Sequence, residues 1–248
     1  MRAVADACAQ TGPVSASDPR YLEHIGSRGR VLVSEDGGSV VAYGGALDLG
    51  GAAFLTDLFV RPGSRDAGHG TALLEALWGG TPTRMTSSSQ DLRALSTYAR
   101  FGAVPRWPLV RLEIPGASLV PQLPVEHRPA SAGDAGWSFE LDDVASARVL
   151  AGPGRAATTA VVRAVGTRWQ VLRATTPEPQ GLAVLVADLR RRAGADGTVE
   201  IAVPGPHPAF GHLLATGARI VDVDLWCSTP DAADLVDPTR ELPSPALC

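Results

Sequence analysis

Lysine is absent from the 248-residue chain, so all 22 basic residues are arginine. That excludes a lysine nucleophile, a Schiff base and a phosphate-binding lysine from any mechanism. Cysteine is scarce: Cys8, Cys227 and Cys248 are odd in number and widely scattered, which argues against a disulfide framework and against the paired spacings of zinc sites. No His-Glu-x-x-His run occurs, and His207 and His212 stand five apart, off any shared helix face, so no metal site is expected. Nor is there an apolar stretch of membrane-spanning length, and the N-terminal MRAVADACAQTG lacks the apolar core of a signal peptide. The arginines are dispersed and the net charge is only −4, so no nucleic-acid footprint is expected. The expectation is a soluble cytoplasmic protein, monomer or homodimer, with a small-molecule partner.

What is there is regular alternation punctuated by glycine and proline. A short helix is predicted over Arg20 to Ile25, opened by Asp18-Pro19 and stopped by Gly26. Arg30 to Ser34 and Ser39 to Leu47 read as a hairpin around Glu35-Asp36-Gly37-Gly38, and Ala53 to Val60 reads as a third, largely buried strand. Pro62 ends that strand, and Thr71 to Trp78 places Leu73, Leu74, Leu77 and Trp78 at helical spacings before Gly79-Gly80. A strand over Arg84 to Ser88, a helix capped by Asp91 and stopped by Gly102, and an extended segment over Val104 to Ile114 complete the first half.

Residues 115–129 carry four prolines and no period, which marks a linker. Beyond it a hairpin turns at Gly166-Thr167, a helix spans Leu182 to Ala193 and a strand spans Val199 to Val203. A helix then runs from Pro208 to Gly217, with a strand over Arg219 to Trp226. The element order of the first half thus recurs, which suggests an internal duplication. The expected division is a domain over 1–114, the linker 115–129, a second domain over 130–230 and an irregular tail over 231–248. The fold class is α/β (α+β), each half a mixed, mostly antiparallel sheet flanked by helices.

The segment between the buried strand and the amphipathic helix is Arg65-Asp66-Ala67-Gly68-His69-Gly70. A pyrophosphate needs several backbone N–H donors converging on it, and a helix N-terminus adds a favourable dipole. Two common phosphate loops do not fit. The P-loop lacks its lysine, and the dinucleotide fingerprint lacks its third glycine and its βαβ setting. The segment does match Arg/Gln-x-x-Gly-x-Gly/Ala, as Arg65-x-x-Gly68-x-Gly70. The longer runs FLTDLFVRPGSRDAGHGTALLEAL and SSSQDLRALSTYARFGAVPRW resemble the strand, loop and helix, and the later tyrosine-bearing helix, of the GNAT superfamily of acyl-CoA-dependent N-acetyltransferases. The resemblance covers about Arg30 to Glu113. The second half resembles the same fold without its motifs, as in tandem GNAT proteins.

This resemblance implies a sheet that splays in its middle. Acetyl-CoA or another acyl-CoA would lie in the gap as co-substrate, and an amine acceptor, most simply a small molecule, would attack it directly in a ternary complex. Backbone groups of Phe59 and Val60 would pair with the pantetheine, and those of Arg65, Asp66, Ala67, Gly68, His69, Gly70 and Thr71 with the pyrophosphate. The His69 side chain is expected to point to solvent or toward the ribose phosphate. Asp57 and Tyr98 hold the family's positions for base and acid. By strand alternation Asp57 would share an apolar face with Leu55 and Phe59, where desolvation raises a carboxyl pKa. The alternatives are an Asp that bonds a neighbouring loop, a water acting as base, and a Tyr that anchors helix to sheet. The rival reading from another class is a non-catalytic acyl-CoA-binding or protein-interaction module that keeps Gly68 and Gly70 but has no productive base.

In the second half Thr175-Thr176-Pro177-Glu178-Pro179-Gln180 takes the place of the loop, offers no Gly-x-Gly and loses two N–H donors to proline. Leu213 falls where Tyr98 falls in the first half. One acyl-CoA site per chain is therefore expected. The second half would brace the sheet or wall the acceptor pocket, with Trp226 and Trp137 as candidate lining.

Overall fold

The computed structural model describes residues 1–8, 19–117, 123–130, 144–150 and 156–244. They divide into two compact units, one of Met1–Arg106 with Trp226–Asp234, the other of Trp107–Leu225 with Leu235–Ser244. The division falls at Arg106/Trp107, within a strand, and not in the proline-bearing segment 115–129. Asp18, Trp137 and Cys248, all used in the sequence reading, lie outside the described residues.

In the first unit the Gly37-Gly38 turn joins β1 (Gly29–Asp36) to β2 (Ser39–Asp48) as the expected hairpin. β3 (Ala52–Val60) returns antiparallel to β2, and β4 (Thr83–Ser88) lies parallel to β3. Four helices accompany these strands: α1 (Arg2–Ala7), α2 (Pro19–Arg28), α3 (His69–Trp78) and α4 (Leu92–Arg100). Two adjacent glycines in β2 explain how closely the helices approach. A Cβ on Gly44 would meet Leu77 of α3 at 2.7 Å, and one on Gly45 would stand 3.2 Å from Ile25 of α2. A strand glycine that lets neighbouring elements pack close is a recurrent use of the residue. Leu74 and Trp78 are thereby fully buried beside Leu55 and Tyr98, and such side chains each contribute about 1.5–3 kcal/mol relative to exposure.

Two local readings are corrected. Gly26 lies inside α2 and does not end it, because one exposed glycine lowers helix propensity by only about 1 kcal/mol while Tyr21, His24 and Ile25 bury the facing side. α1 carries no clear signal in the sequence, yet Val4 and Ala5 pack on Tyr43.

The second unit holds β5 (Val104–Pro115) from Trp107 on, β6 (Val125–Pro129), β7 (Val144–Val149), β8 (Thr159–Val165) and β9 (Arg168–Thr175). α5 (Pro179–Ala193), β10 (Thr198–Pro204), α6 (Phe210–Ala215) and β11 (Arg219–Ser228) up to Leu225 follow. Its strand order is β11-β5-β10-β9-β8-β7-β6. Leu182, Leu185, Val186 and Leu189 form the buried stripe of α5 against Val199, Ile201 and Val203 of β10, the spacing that fits one helix face. Asp188 on the same helix is buried but satisfied, by His127 at 2.8 Å, Arg191 at 2.8 Å and Arg192 at 2.7 Å. The prolines of 115–129 do not exclude a strand, since β6 ends on Pro129. The tail is not wholly irregular either: Pro230–Ala232 is a 3-10 turn and β12 (Glu241–Leu242) pairs with β9.

Candidate active site

Parallel pairing between β3 and β4 spans only Ala52–Leu55 against Thr83–Thr86, while β3 runs on to Val60 and β4 to Ser88. The strands therefore part, and the backbone of Thr56 to Val60 lies beyond the parallel ladder. A register shift in the β2–β3 ladder sits at the same point: Gly45 pairs with Asp57 and Ala46 with Leu55, so Thr56 is the extra residue of a bulge. Bulges bend a strand and re-aim the side chains that follow. Here the bulge removes Leu55 from the expected face and leaves Asp57 and Phe59 on a common one. Leu55 packs with Leu74 and Trp78, whereas Phe59 stacks on Tyr43 with ring centroids 5.5 Å apart and Asp57 meets Tyr21 of α2.

At the parting end the chain makes a 3-10 turn, Pro62–Ser64, then enters α3 through Asp66 at φ +66° and Gly68 at φ +84°. This left-handed geometry turns successive amides outward, as in an anion-binding nest. The N–H groups of Asp66, Ala67, Gly68, His69, Gly70 and Thr71 have no acceptor among the described residues. Arg65 departs from the expected set, because its amide is directed at Pro62 O, 3.4 Å away. Gly68 is required by its φ and not by space, for a Cβ there would meet nothing within 4 Å. A Cβ on Gly70 would stand 3.3 Å from Val60. The His69 ring does not point to solvent or to a ribose phosphate: its Nδ1 is 2.8 Å from the Ser34 hydroxyl of β1. The Val60 carbonyl accepts from the Cys8 thiol at 3.4 Å, a contact that no sequence signal foreshadowed.

Asp57 is buried and accepts a hydrogen bond from the Tyr21 hydroxyl at 2.5 Å. Burial and the neighbouring Asp57 charge push the Tyr21 phenol far above its usual range. Tyr98 is carried inward by α4, whose start is fixed by Asp91 accepting from the N–H of Arg93 at 2.8 Å and of Ala94 at 3.3 Å. It packs on Trp78, ring centroids 5.8 Å apart. Burial chiefly, then the charges of Cys227, Asp91 and Asp57, push its phenol pKa upward, so Tyr98 holds its proton at neutral pH. Cys227 is itself buried, and burial pushes its thiol up to about 11. Trp226, a candidate for the acceptor pocket, is instead core of the first unit, stacked on Phe54 at 5.6 Å.

Residues 4–102 match the model of the acetyltransferase (GNAT) family. The first unit carries a GNAT acetyltransferase domain. GNAT proteins are generally N-acetyltransferases that use acyl-CoA as co-substrate. Among curated proteins none matches the chain. Among solved structures, an acetyltransferase from Pyrococcus horikoshii matches with a TM-score of 0.71 at 14% identity, over 97% of this chain and 86% of that one. A GCN5-related N-acetyltransferase from Anabaena variabilis matches with a TM-score of 0.60 at 14% identity, over 92% and 69%. A tandem GNAT protein from the clavulanic acid biosynthesis pathway matches with a TM-score of 0.54 at 18% identity, over 92% of each chain. These likenesses establish the fold.

The second unit repeats the GNAT features in outline. β9 and β10 are parallel over four residue pairs, Arg168–Val171 against Thr198–Ile201, as β3 and β4 are. The β8–β9 ladder shifts register between Val161 and Val162, which makes Leu172 the counterpart of Thr56 and Arg173 the counterpart of Asp57. Beyond the parallel pairs, however, β12 pairs with β9 at Ala174 and Thr175. The N–H of Thr176 donates to Arg240 O at 2.6 Å, and its hydroxyl meets His207 Nε2 at 2.7 Å. Leu213, counterpart of Tyr98, is buried core. Among the described residues there is no group of His, Cys, Asp or Glu able to hold a metal, and no helix long and apolar enough to cross a membrane.

Proposed function

We propose that the first unit transfers an acyl group, acetyl in the simplest case, from acyl-CoA to a small-molecule amine. The observation that carries this reading is the run of six amides from Asp66 to Thr71, without acceptors among the described residues, at the N-terminus of α3 beside the parting of β3 and β4. Backbone donors left without a protein acceptor at a helix N-terminus are the kind of group a pyrophosphate binds. The backbone of Phe59 and Val60 would hold the pantetheine, which requires the Val60 carbonyl to be released by its two present donors, the Cys8 thiol at 3.4 Å and Arg65 Nε at 3.5 Å.

On this reading Asp57, directly or through one water, removes the proton of the incoming ammonium so that the amine nitrogen is free to attack the thioester carbon. Tyr98 gives its phenolic proton to the sulfur as the C–S bond breaks, leaving free CoA thiol and the amide. The nitrogen of the tetrahedral adduct loses its second proton as the amide forms; that proton restores the Tyr98 phenol through water, and the proton on Asp57 leaves to solvent. We place this chemistry in the reducing cytoplasm, which suits cysteines that, like Cys8 and Cys227, form no disulfide. One acyl-CoA site per chain follows, in the first unit.

Acetyl-CoA at about a hundredfold over its Kd should stabilise the protein by on the order of 3 kcal/mol, and a panel of amines assayed by thiol release should show turnover with at least one member. No thermal shift would defeat the acyl-CoA site. A shift with no thiol release across the panel would favour a non-catalytic binding module.

A further inference from the structure

We infer that Tyr21 is the positioning residue of the proton-accepting carboxylate: its buried hydroxyl holds Asp57 in one orientation and favours its ionised form. The inference rests on Asp57 acting as base in the proposed transfer. Tyr21 is fully buried on α2, Asp57 is 3% exposed on β3, and the Oη to Oδ2 separation is 2.5 Å, the range of O–H···O⁻ bonds with an ionised acceptor. The proton belongs to the phenol, because burial and the Asp57 charge both oppose tyrosinate.

The chain has three tyrosines, and the Asp57 charge acts on all of them: Tyr21 on α2, Tyr43 on β2 and Tyr98 on α4. Cys8 at the end of α1 is a further titratable group on this side, acting on Tyr43. A phenol is a suitable partner for a base. It donates to the carboxylate and so lowers its proton affinity, yet it does not neutralise the charge as a guanidinium would, and the carboxylate stays able to take a proton. Loss of that donor should leave the buried carboxyl easier to protonate.

The test is a pH titration of the carboxyl carbons in protein labelled with 13C-aspartate, with the Asp57 signal identified by its loss in Asp57→Asn. In Tyr21→Phe the Asp57 midpoint should rise by about one pH unit, and the acidic limb of turnover, measured with an amine found by the thiol-release panel, should move up with it while acetyl-CoA affinity is retained. An unmoved midpoint overturns the inference. A moved midpoint together with full turnover in Asp57→Asn overturns Asp57 as base, and with it the catalytic sense of Tyr21. Should Tyr21→Phe fail to fold, wild-type protein grown with 3-fluorotyrosine, whose phenol is the stronger donor, should show the midpoint shifted down, and no shift would overturn the inference equally.

Discussion

The Thr86 hydroxyl donates to the Leu55 carbonyl at 2.9 Å, on the last rung at which β3 and β4 are paired. One residue further on, the strands part. The bond closes the ladder just where the proposed groove begins, so it bears on stability and on the groove at once. Thr86→Val keeps the shape and removes the donor; leaving a buried carbonyl short of a partner costs about 1–3 kcal/mol. Urea unfolding should show that loss, and calorimetry should show weaker acetyl-CoA binding. An unchanged midpoint would mean that the ladder does not depend on this bond.

Gly68 tests the cradle through backbone conformation alone. A Cβ at this position meets nothing within 4 Å, but φ is +84°, a region that costs an ordinary L-residue about 1–2 kcal/mol. Gly68→Val should either strain the folded loop or rotate its amides away from a common point, and acetyl-CoA affinity should fall about tenfold or more, equivalent to about 1.4 kcal/mol. Full affinity in this variant would disprove that these amides bind the pyrophosphate.

Much of this arrangement was readable from residue pattern. The hairpin at Gly37-Gly38, the cap at Asp91 and the loop before α3 all have local causes, since φ > 0 at a turn and a capping carboxylate are chosen by neighbouring residues. The facing of Asp57 was not readable. It depends on the bulge at Thr56, which exists only because β2 and β3 meet in one register, and alternation counted along β3 alone wrongly adds Leu55 to the face of Asp57 and Phe59. The role of Tyr21 has no local signal for the same reason: nothing near it in sequence marks a carboxylate 36 residues away. The tail strand β12 is too short to carry a period, and its pairing with β9 is a long-range choice.

Tyr98 separates binding from chemistry. Its ring packs on Trp78 and Phe keeps that packing, so Tyr98→Phe should fold normally and hold acetyl-CoA as tightly as the parent. Turnover should drop by about a hundredfold, the usual scale for removing a general acid. Steady-state kinetics with thiol detection reads this directly, and unchanged turnover would remove Tyr98 from the mechanism.

The buried thiol of Cys227 makes an alkaline prediction. Burial raises its folded pKa to about 11 from an ordinary 9.0, so the folded state holds the proton more tightly than the unfolded one. The associated stability is fully present below the unfolded pKa and is lost as pH rises toward the folded value. Stability should therefore decline between about pH 9 and pH 11 by on the order of 2–3 kcal/mol in all, read as a falling melting temperature. The tyrosines, raised as well, deepen the fall above pH 10. Cys227→Ala should flatten the first part of the decline, and an identical profile would show that this thiol is not held neutral.

The second unit is expected to stay without acyl-CoA even when its groove is uncovered. β12 lies along β9 at Ala174 and Thr175, and the Arg240 carbonyl takes the Thr176 N–H, so the strand end that corresponds to Phe59 and Val60 is already paired. Ending the chain at Pro238 would remove both partners. The buried Thr176 amide would lose its acceptor, at a cost of about 1–3 kcal/mol, and urea unfolding should register it. Calorimetry should nevertheless still count one acetyl-CoA per chain. Pro177 and Pro179 have no N–H to offer, Gly181 N–H is bonded to Glu178 O at 3.0 Å, and Leu213 has no proton to give. A second site appearing on truncation would show that the tail alone, and not the loss of donors, had silenced the second half.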